Sequence, residues 1–260
     1  MANFPHPPQL TKPAIFVTGT DTGIGKTVIS CALAAALRQD GMRVGVCKPL
    51  ASGCRREREG LVSDDAEALA HFADCRLPLD VIHPVRYAAP LAPAAAGELV
   101  GVAPDWDAVV ESLERLDQAS DVLVVEGVGG LMVPLDHTQP RLTVLDLILW
   151  LDMPVLVVAR AGLGTLNHSA MTIELLRQRN AHVTGLVLNG YDADAASEDD
   201  ISMQTNRRWI ERLTGTSVLA VTPLAPADEC SPEAGRLPGS VLDAVAAVDW
   251  LRFLRRPYAR

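Results

Sequence analysis

The 260-residue chain has a formal net charge of −9, and 48% of its residues are hydrophobic. A chain of this length can bury a large core without covalent staples. The acidic balance argues against a nucleic-acid partner, because nothing would offset repulsion from a phosphate backbone. The composition also excludes a collagen-like, an extensively disordered or a small disulfide-rich protein.

The cysteines and the apolar runs indicate the cellular location of the protein. The five cysteines are odd in number, and no two have C-x-x-C spacing, which is typical of reduced thiols in an intracellular protein without a zinc site. Prolines in the first residues predict a flexible N-terminal tail over 1–12, without a signal-like run. Asp146, Asp152 and Pro154 interrupt the most apolar region, 144–158, so it is too polar to span a membrane. We expect a soluble, cytoplasmic protein.

Short β-branched runs alternate with alanine- and leucine-rich helical segments along the chain. Consecutive apolar positions predict buried strands at 14–18, 43–47, 122–125, 155–159, 183–188 and 218–221. Apolar residues at helical spacing predict helices at 26–39, 166–179, 203–213 and 241–253, while 84–104 is left unassigned. Strands that are apolar at every position indicate burial on both faces. We therefore predict a single α/β domain over 13–260, with a mostly parallel sheet and helices on both faces.

The segment TGTDTGIGKT at 18–27 follows the first predicted strand and opens the first predicted helix. Glycines let the backbone turn tightly, and successive N–H groups at a helix N-terminus attract phosphate. The segment differs from G-x-x-x-x-G-K-[ST] because Thr20 occupies the first glycine position and Gly19 lies one residue earlier. Lys26 would contact the β- and γ-phosphates, and the Thr27 hydroxyl would bind Mg²⁺. A glycine-rich turn without a ligand is the alternative, but the context favours ATP or GTP binding.

Further polar positions follow predicted strands or begin predicted helices. Glu126 ends the third strand before a glycine-rich turn, which indicates a Mg²⁺ ligand, with a solvated turn residue as the alternative. Lys48 follows the second strand, where it would stabilise phosphate charge or equally be a surface lysine. For Asp65, the first interpretation is an acidic residue that stabilises a helix N-terminus, and the second is a metal ligand. Thr165 is expected to cap the helix that starts after Gly164.

Six segments taken together resemble the dethiobiotin synthetase family, whose members are ATP-dependent enzymes of biotin biosynthesis. In chain order they are TGTDTGIGKT (18–27), KPLASG (48–53), SDDAEAL (63–69), VEGVGG (125–130), GLGTLNH (162–168) and LVLNG (186–190). The variant phosphate loop combined with KPLASG is the most specific part of the match.

The resemblance implies a P-loop fold and assigns roles residue by residue. It implies ATP contacts by Gly23, Ile24, Gly25, Lys26, Thr27, Val28, Asp65, Glu126, Gly127, Val128, Gly129, Asn189, Gly190 and Pro223. Asn189 would recognise adenine, Lys48 and Lys26 would be catalytic, and the Mg²⁺ ligands would be Thr27, Asp65 and Glu126. Substrate contacts would come from Thr22 and Ser52, and from Gly164, Thr165, Leu166 and Asn167 of a neighbouring subunit. A homodimer is therefore implied.

The implied reaction joins CO₂ to 7,8-diaminononanoate and closes a ureido ring. One amine forms a carbamate, ATP phosphorylates the carbamate, and the second amine then displaces phosphate. The protein's part is mainly placement and charge neutralisation.

Two other classes of protein compete with this interpretation. Partitioning and cell-division ATPases resemble the loop, but they normally carry a lysine near its start, where this chain has Asp21. They often have a membrane-binding tail, and the ending DWLRFLRRPYAR is short and contains Asp249. A cobyrinic-acid amidase-like ligase would need a glutamine-hydrolysing domain, for which the chain leaves no room. We therefore expect no membrane partner.

Overall fold

The computed structural model describes residues 4–58, 60–226 and 228–254. Strands and helices alternate along these ranges. The strands are β1 (Ala14–Gly19), β2 (Val44–Cys47), β3 (Leu50–Ala51), β4 (Arg55–Glu57), β5 (Gly60–Val62), β6 (Val85–Arg86), β7 (Val122–Gly130), β8 (Val155–Arg160), β9 (Val183–Tyr191) and β10 (Val218–Pro223). The helices are α1 (Lys26–Gln39), α2 (Asp64–Ala73), α3 (Leu79–Ile82), α4 (Pro93–Val100), α5 (Trp106–Ala119), α6 (Val144–Leu151), α7 (Thr165–Gln178), α8 (Ala193–Glu198), α9 (Met203–Thr214) and α10 (Gly239–Ala246).

The central sheet contains six strands in the order β10-β9-β8-β1-β7-β2. Every pair of neighbours in it is parallel. Their carboxyl ends therefore lie at one edge, where ligands bind in open α/β sheets. The predicted α/β class with a parallel sheet is confirmed. Glu126, which was expected to end its strand, lies inside β7, because pairing with β1 continues to Gly19 and Gly130.

Helices cover both faces of this sheet. One buried cluster contains α1, α2 and α10, and the other contains α5, α6, α7 and α9. Neighbouring strand residues alternate between them: Val124 packs on the α1 side and Val125 on the α5 side. This alternation explains why each central strand is apolar at consecutive positions.

One segment differs from the sequence-based prediction, and another, which the sequence left unassigned, has regular structure. The predicted helix at 241–253 is instead α10 followed by a 3₁₀ turn, Trp250–Arg252. The Trp250 ring is fully buried and its Nε1–H donates to the Val245 carbonyl oxygen over 2.8 Å, which requires the chain to leave the helix. The unassigned segment 84–104 forms β6 and α4, and Pro93 occupies the first turn of α4, where its missing N–H costs nothing.

The N-terminal segment packs on the domain from residue 4 onward, in contrast to the flexible tail predicted over 1–12. Prolines prevent regular secondary structure there, but Phe4 stacks on Trp150 with ring centroids 4.6 Å apart. The Trp150 Nε1–H donates to the Pro5 carbonyl oxygen (3.0 Å), and the Thr11 hydroxyl donates to Asp117 (2.7 Å). Residues 1–3 of the predicted tail and 255–260 of the basic ending lie outside the described residues. No helix within the described ranges is both long and apolar enough to cross a bilayer.

Candidate functional site

The loop at 18–27 joins the carboxyl end of β1 to the N-terminus of α1. Gly25 is the N-cap of α1 with φ +89°, and a Cβ there would lie 2.0 Å from Asn189 Nδ2. Gly19 is needed for space, since its Cβ would meet Ile24 Cδ1 at 2.8 Å and Lys26 Cδ at 3.1 Å. The displaced first glycine of the motif therefore lies where the loop folds back over the strand end. The helix N-terminus behind this loop is suited to an anion.

Lys26 projects into the loop that it helps to form. The side chain is buried, and Nζ donates to the Asp21 carbonyl oxygen across the loop (2.8 Å). Burial, reinforced by the nearby charge of Lys48, lowers the pKa of Lys26 to about 8. A bound phosphate would stabilise the ammonium that burial disfavours.

Lys48 lies at the centre of a buried ionic cluster, so the surface-lysine alternative is wrong. Only 3% of this residue is exposed. Its Nζ donates to Glu126 Oε1 (2.5 Å) and to the Gly127 carbonyl oxygen (3.2 Å), and it lies 2.8 Å from Asp65 Oδ2. These partners use all three N–H bonds of the ammonium. Burial acts to lower the pKa of Lys48, but the two carboxylates outweigh it and raise the pKa above its usual range.

Three oxygen-bearing side chains meet beside this cluster. Thr27 Oγ1 is 2.9 Å from Asp65 Oδ1 and 3.0 Å from Glu126 Oε1, yet its single proton can serve only one of them. Glu126 is 0% exposed, so the solvated-turn alternative is wrong, and no partner for its Oε2 exists among the described residues. Burial acts to raise the pKa of Asp65, but Lys48 and the Thr27 hydrogen bond outweigh it and hold that pKa below its usual range.

These three residues fit a magnesium ion. Hydroxyl and carboxylate oxygens are hard ligands, and the converging oxygens have fewer protons than acceptors. No group of three or more His, Cys, Asp or Glu side chains in the described ranges is arranged to hold a metal. In a P-loop arrangement one or two carboxylates act together with the phosphates of the ligand.

The glycine-rich end of β7 lies against the loop. Gly130 pairs with Gly19, and a Cβ on Gly129 would come within 3.2 Å of Thr22 Oγ1. Gly129 and Gly130 are therefore adjacent to the loop, whereas a Cβ on Gly127 would meet the Phe16 ring in β1 at 2.9 Å.

The carboxyl ends of β9 and β10 reach the loop from its other side. Asn189 Nδ2 donates to the Ile24 carbonyl oxygen (3.0 Å), and the Thr222 hydroxyl donates to Asn189 Oδ1 (2.7 Å). Gly190 follows Asn189 in β9, and Pro223 pairs with Tyr191 at the end of β10.

Sequence reasoning missed two polar residues at this edge. Besides Thr222, Arg160 ends β8, and its Nη2 lies 3.5 Å from Asp21 Oδ2 in the loop. Arg160 is the last residue of β8 and Thr222 the penultimate residue of β10, and polar residues near the ends of apolar parallel strands are a pattern that could have identified them.

Two predicted substrate segments have hydrogen-bond partners of their own. Ser52 follows β3, and the neighbouring Gly53 N–H donates to the Ala89 carbonyl oxygen. Gly164, not Thr165, is the N-cap of α7, so the predicted cap is wrong: the Thr165 hydroxyl turns toward Ser169 Oγ (3.3 Å) within the helix. Leu166 and Asn167 follow in the first turn. Within the described chain, no hydrogen bond joins either segment to the loop at 18–27.

A parallel sheet with this loop after its first strand and carboxylates beside it defines a P-loop nucleotide-binding protein. Residues 13–229 match the family model described as an AAA domain. Similar solved structures include the MinC:MinD cell division protein complex of Aquifex aeolicus, 14% identical with a TM-score of 0.57, covering 96% of this chain and 99% of that chain. A ParA family ATPase from Chlorobium tepidum TLS is 18% identical with a TM-score of 0.53, covering 91% and 98%. At these identities the likeness shows the fold alone.

Sequence relatives identify the family. The ATP-dependent dethiobiotin synthetase of Anaeromyxobacter sp. (strain K) is 47% identical over 212 residues, which are 82% of this chain and 90% of the relative. That of Bacillus subtilis (strain 168) is 38% identical over 208 residues, 80% of this chain and 86% of the relative. The chain belongs to the dethiobiotin synthetase family. The resemblance of the six segments is thereby confirmed.

Proposed function

We propose that the protein is an ATP-dependent dethiobiotin synthetase that carboxylates 7,8-diaminononanoate with CO₂ and closes the ureido ring, releasing ADP and phosphate. The names of its relatives support this activity. The observation that carries the proposal is the convergence of two buried lysines and two carboxylates at the P-loop edge of the sheet.

The loop and α1 would hold the triphosphate. The proposed phosphate contacts are Gly23, Ile24, Gly25, Lys26, Thr27 and Val28. Among the described contacts, Lys26 Nζ donates to one loop carbonyl oxygen and to no carboxylate. Its positive charge is therefore available to the β- and γ-phosphates. Gly127, Val128 and Gly129 would line the same phosphates from β7.

Magnesium would be held by Thr27, Asp65 and Glu126. Bound magnesium would neutralise the part of the phosphate charge that the protein side chains leave unbalanced. Lys26 and Lys48 together balance the two carboxylates, so these four side chains have no net formal charge with which to offset a triphosphate. Lys48 holds both carboxylates in place and adds its positive charge where the γ-phosphate would be transferred.

The reaction needs placement more than covalent chemistry from side chains. A carbamate oxygen attacks the γ-phosphorus, the bond to the bridging oxygen breaks, and ADP leaves. The second amine then attacks the carbamoyl carbon, the bond to the phosphate oxygen breaks, the amine proton passes to the departing phosphate, and the ring closes. Lys26 and Lys48 would stabilise the negative charge that develops in the first step and on the departing phosphate.

The remaining proposed contacts are to the base and to the diamine. Asn189, Gly190 and Pro223 would lie beside adenine. Thr22 and Ser52 would contact the diamine from one subunit, and Gly164, Thr165, Leu166 and Asn167 would contact it from the other. The homodimer is part of the proposal because the last four residues would act on the site of the neighbouring subunit.

The cellular setting is part of the proposal. All five cysteines are free thiols, which supports a reducing, cytoplasmic location. The net charge of −9 disfavours nucleic acid, and neither nucleic acid nor a membrane takes part in the proposed reaction.

The test is phosphate release by the purified protein with MgATP, bicarbonate and the diamine. We expect one phosphate for each dethiobiotin detected by mass spectrometry, and only background release when the diamine or bicarbonate is omitted. Lys26→Met should abolish product, whereas Lys12→Met, at an exposed position, should retain it. Phosphate release that needs neither co-substrate would contradict the synthetase and favour a nucleotide-switched ATPase.

A further inference from the structure

Asn189 lies in an irregular stretch of β9. Leu188 pairs with Val221 and Tyr191 pairs with Pro223, so three steps along β9 match two steps along β10. Thr222 therefore faces both Asn189 and Gly190. Such a bulge redirects a side chain, and here the Asn189 amide lies against the phosphate loop.

Two hydrogen bonds fix the two ends of that amide. The Ile24 carbonyl oxygen can only accept, so Nδ2 must face the loop (3.0 Å). The opposite end, Oδ1, accepts from the Thr222 hydroxyl (2.7 Å), and the donor residue Thr222 is fully buried. The final torsion of an asparagine is intrinsically broad, so an amide held only at Nδ2 would rotate more freely.

The remaining hydrogen-bonding capacity of Asn189 suits adenine. An amide offers two N–H bonds and two acceptor positions, and the two contacts above leave one of each. Adenine presents the N6 amino donor beside the N7 acceptor, whereas guanine presents two acceptors, O6 and N7. An amide held in one orientation pairs with the first pattern and places its oxygen against an acceptor of the second.

We propose that Thr222 is a positioning residue that fixes the orientation of the Asn189 amide and thereby sets the preference for adenine over guanine nucleotides. The inference rests on the proposed function, in which Asn189 contacts the base. It also links the base contact to the phosphate loop, because the same amide bonds to Ile24.

The test compares ATP and GTP as substrates in Thr222→Val, which keeps the side-chain shape and removes the donor. A single hydrogen bond corresponds to a change of roughly two- to tenfold in binding. We expect the KM for ATP to rise by about fivefold, kcat to stay near wild type, and the ATP-to-GTP ratio of kcat/KM to fall by a similar factor. Thr222→Ser should restore the ratio. Thr184→Val is the matched control, because its hydroxyl donates to the Val155 carbonyl oxygen elsewhere in the sheet.

An unchanged ATP-to-GTP ratio in Thr222→Val would overturn the inference. Equal losses of kcat with both nucleotides that Thr222→Ser does not restore would also overturn it, since they indicate a structural role. If Thr222→Val does not fold, Thr222→Ala provides the same comparison. A wild-type protein that makes dethiobiotin equally well with ATP and GTP would refute this inference alone, whereas one that makes none with ATP would refute the proposed function.

Discussion

Removing the positive charge of Lys48 should destabilise the protein strongly, because its main partner is inaccessible to water. Glu126 is fully buried, and its Oε1 accepts from Lys48 Nζ over 2.5 Å. In Lys48→Met, the carboxylate retains only the Thr27 hydroxyl among these contacts. Breaking a buried ion pair from one side typically costs about 3–5 kcal/mol. Asp65 adds little to this figure because 42% of its side chain is exposed to screening water.

The double variant Lys48→Met/Glu126→Gln separates the loss of charge from the loss of packing. Replacing both members of a buried pair by uncharged groups removes the unpaired buried charge, which is the main cost of the single variant. We therefore expect it to recover about 2 kcal/mol or more of the free energy of unfolding lost in Lys48→Met. Neither variant should form dethiobiotin, since both lack the proposed catalytic charge.

Urea unfolding at pH 8 measures these differences. Lys12→Met is the control, because its side chain is exposed and such substitutions usually change stability by less than about 0.5 kcal/mol. A loss below about 1 kcal/mol in Lys48→Met would refute the reasoning. A double variant less stable than Lys48→Met would refute it equally.

Three further predictions concern the loop and the carboxylate beside it. The pKa of Lys26 is about 8 without nucleotide, and bound phosphate should raise it. ADP binding should therefore take up protons at pH 8.5, and the affinity for ADP should fall as the pH rises further. Calorimetry in two buffers measures this proton uptake, and uptake that persists in Lys26→Arg would contradict the prediction. Gly25→Ala should abolish ADP binding, because its Cβ would clash with Asn189, whereas Gly41→Ala, which has a similar φ and open space, should bind normally. Because the pKa of Asp65 is lowered in the folded protein, its ionised carboxylate stabilises the fold above about pH 4, and this stabilisation is lost as the pH falls through the lowered value. In Asp65→Asn, the free energy of unfolding measured in urea should therefore fall less steeply toward acid pH. An unchanged slope would argue against this.

Much of the fold could be predicted because the signals are local. Runs such as 14–17 and 155–159 are apolar at every position, and only a sheet covered on both faces buries all of them. The α1 bounds follow from helical spacing after a glycine-rich loop. The order of strands could not be derived in this way, because it depends on pairing between residues far apart in the chain.

In the site, too, local features could be predicted from the sequence and long-range contacts could not. The phosphate loop is a contiguous motif, whereas the burial of Lys48 depends on Glu126, which is 78 positions away. Residue patterns alone left Lys48 undecided between site and surface for that reason. The bulge that brings Thr222 to Asn189 is likewise invisible locally, since it arises from unequal steps on two strands.

The most direct test of the central claim is a crystal structure with Mg²⁺ and a non-hydrolysable ATP analogue. The account predicts Lys26 Nζ within hydrogen-bonding distance of the β- and γ-phosphate oxygens. It also predicts the metal within about 2.1 Å of Thr27 Oγ1 and of at least one of the two carboxylates. A triphosphate bound elsewhere, or a metal that contacts neither Asp65 nor Glu126, would contradict it.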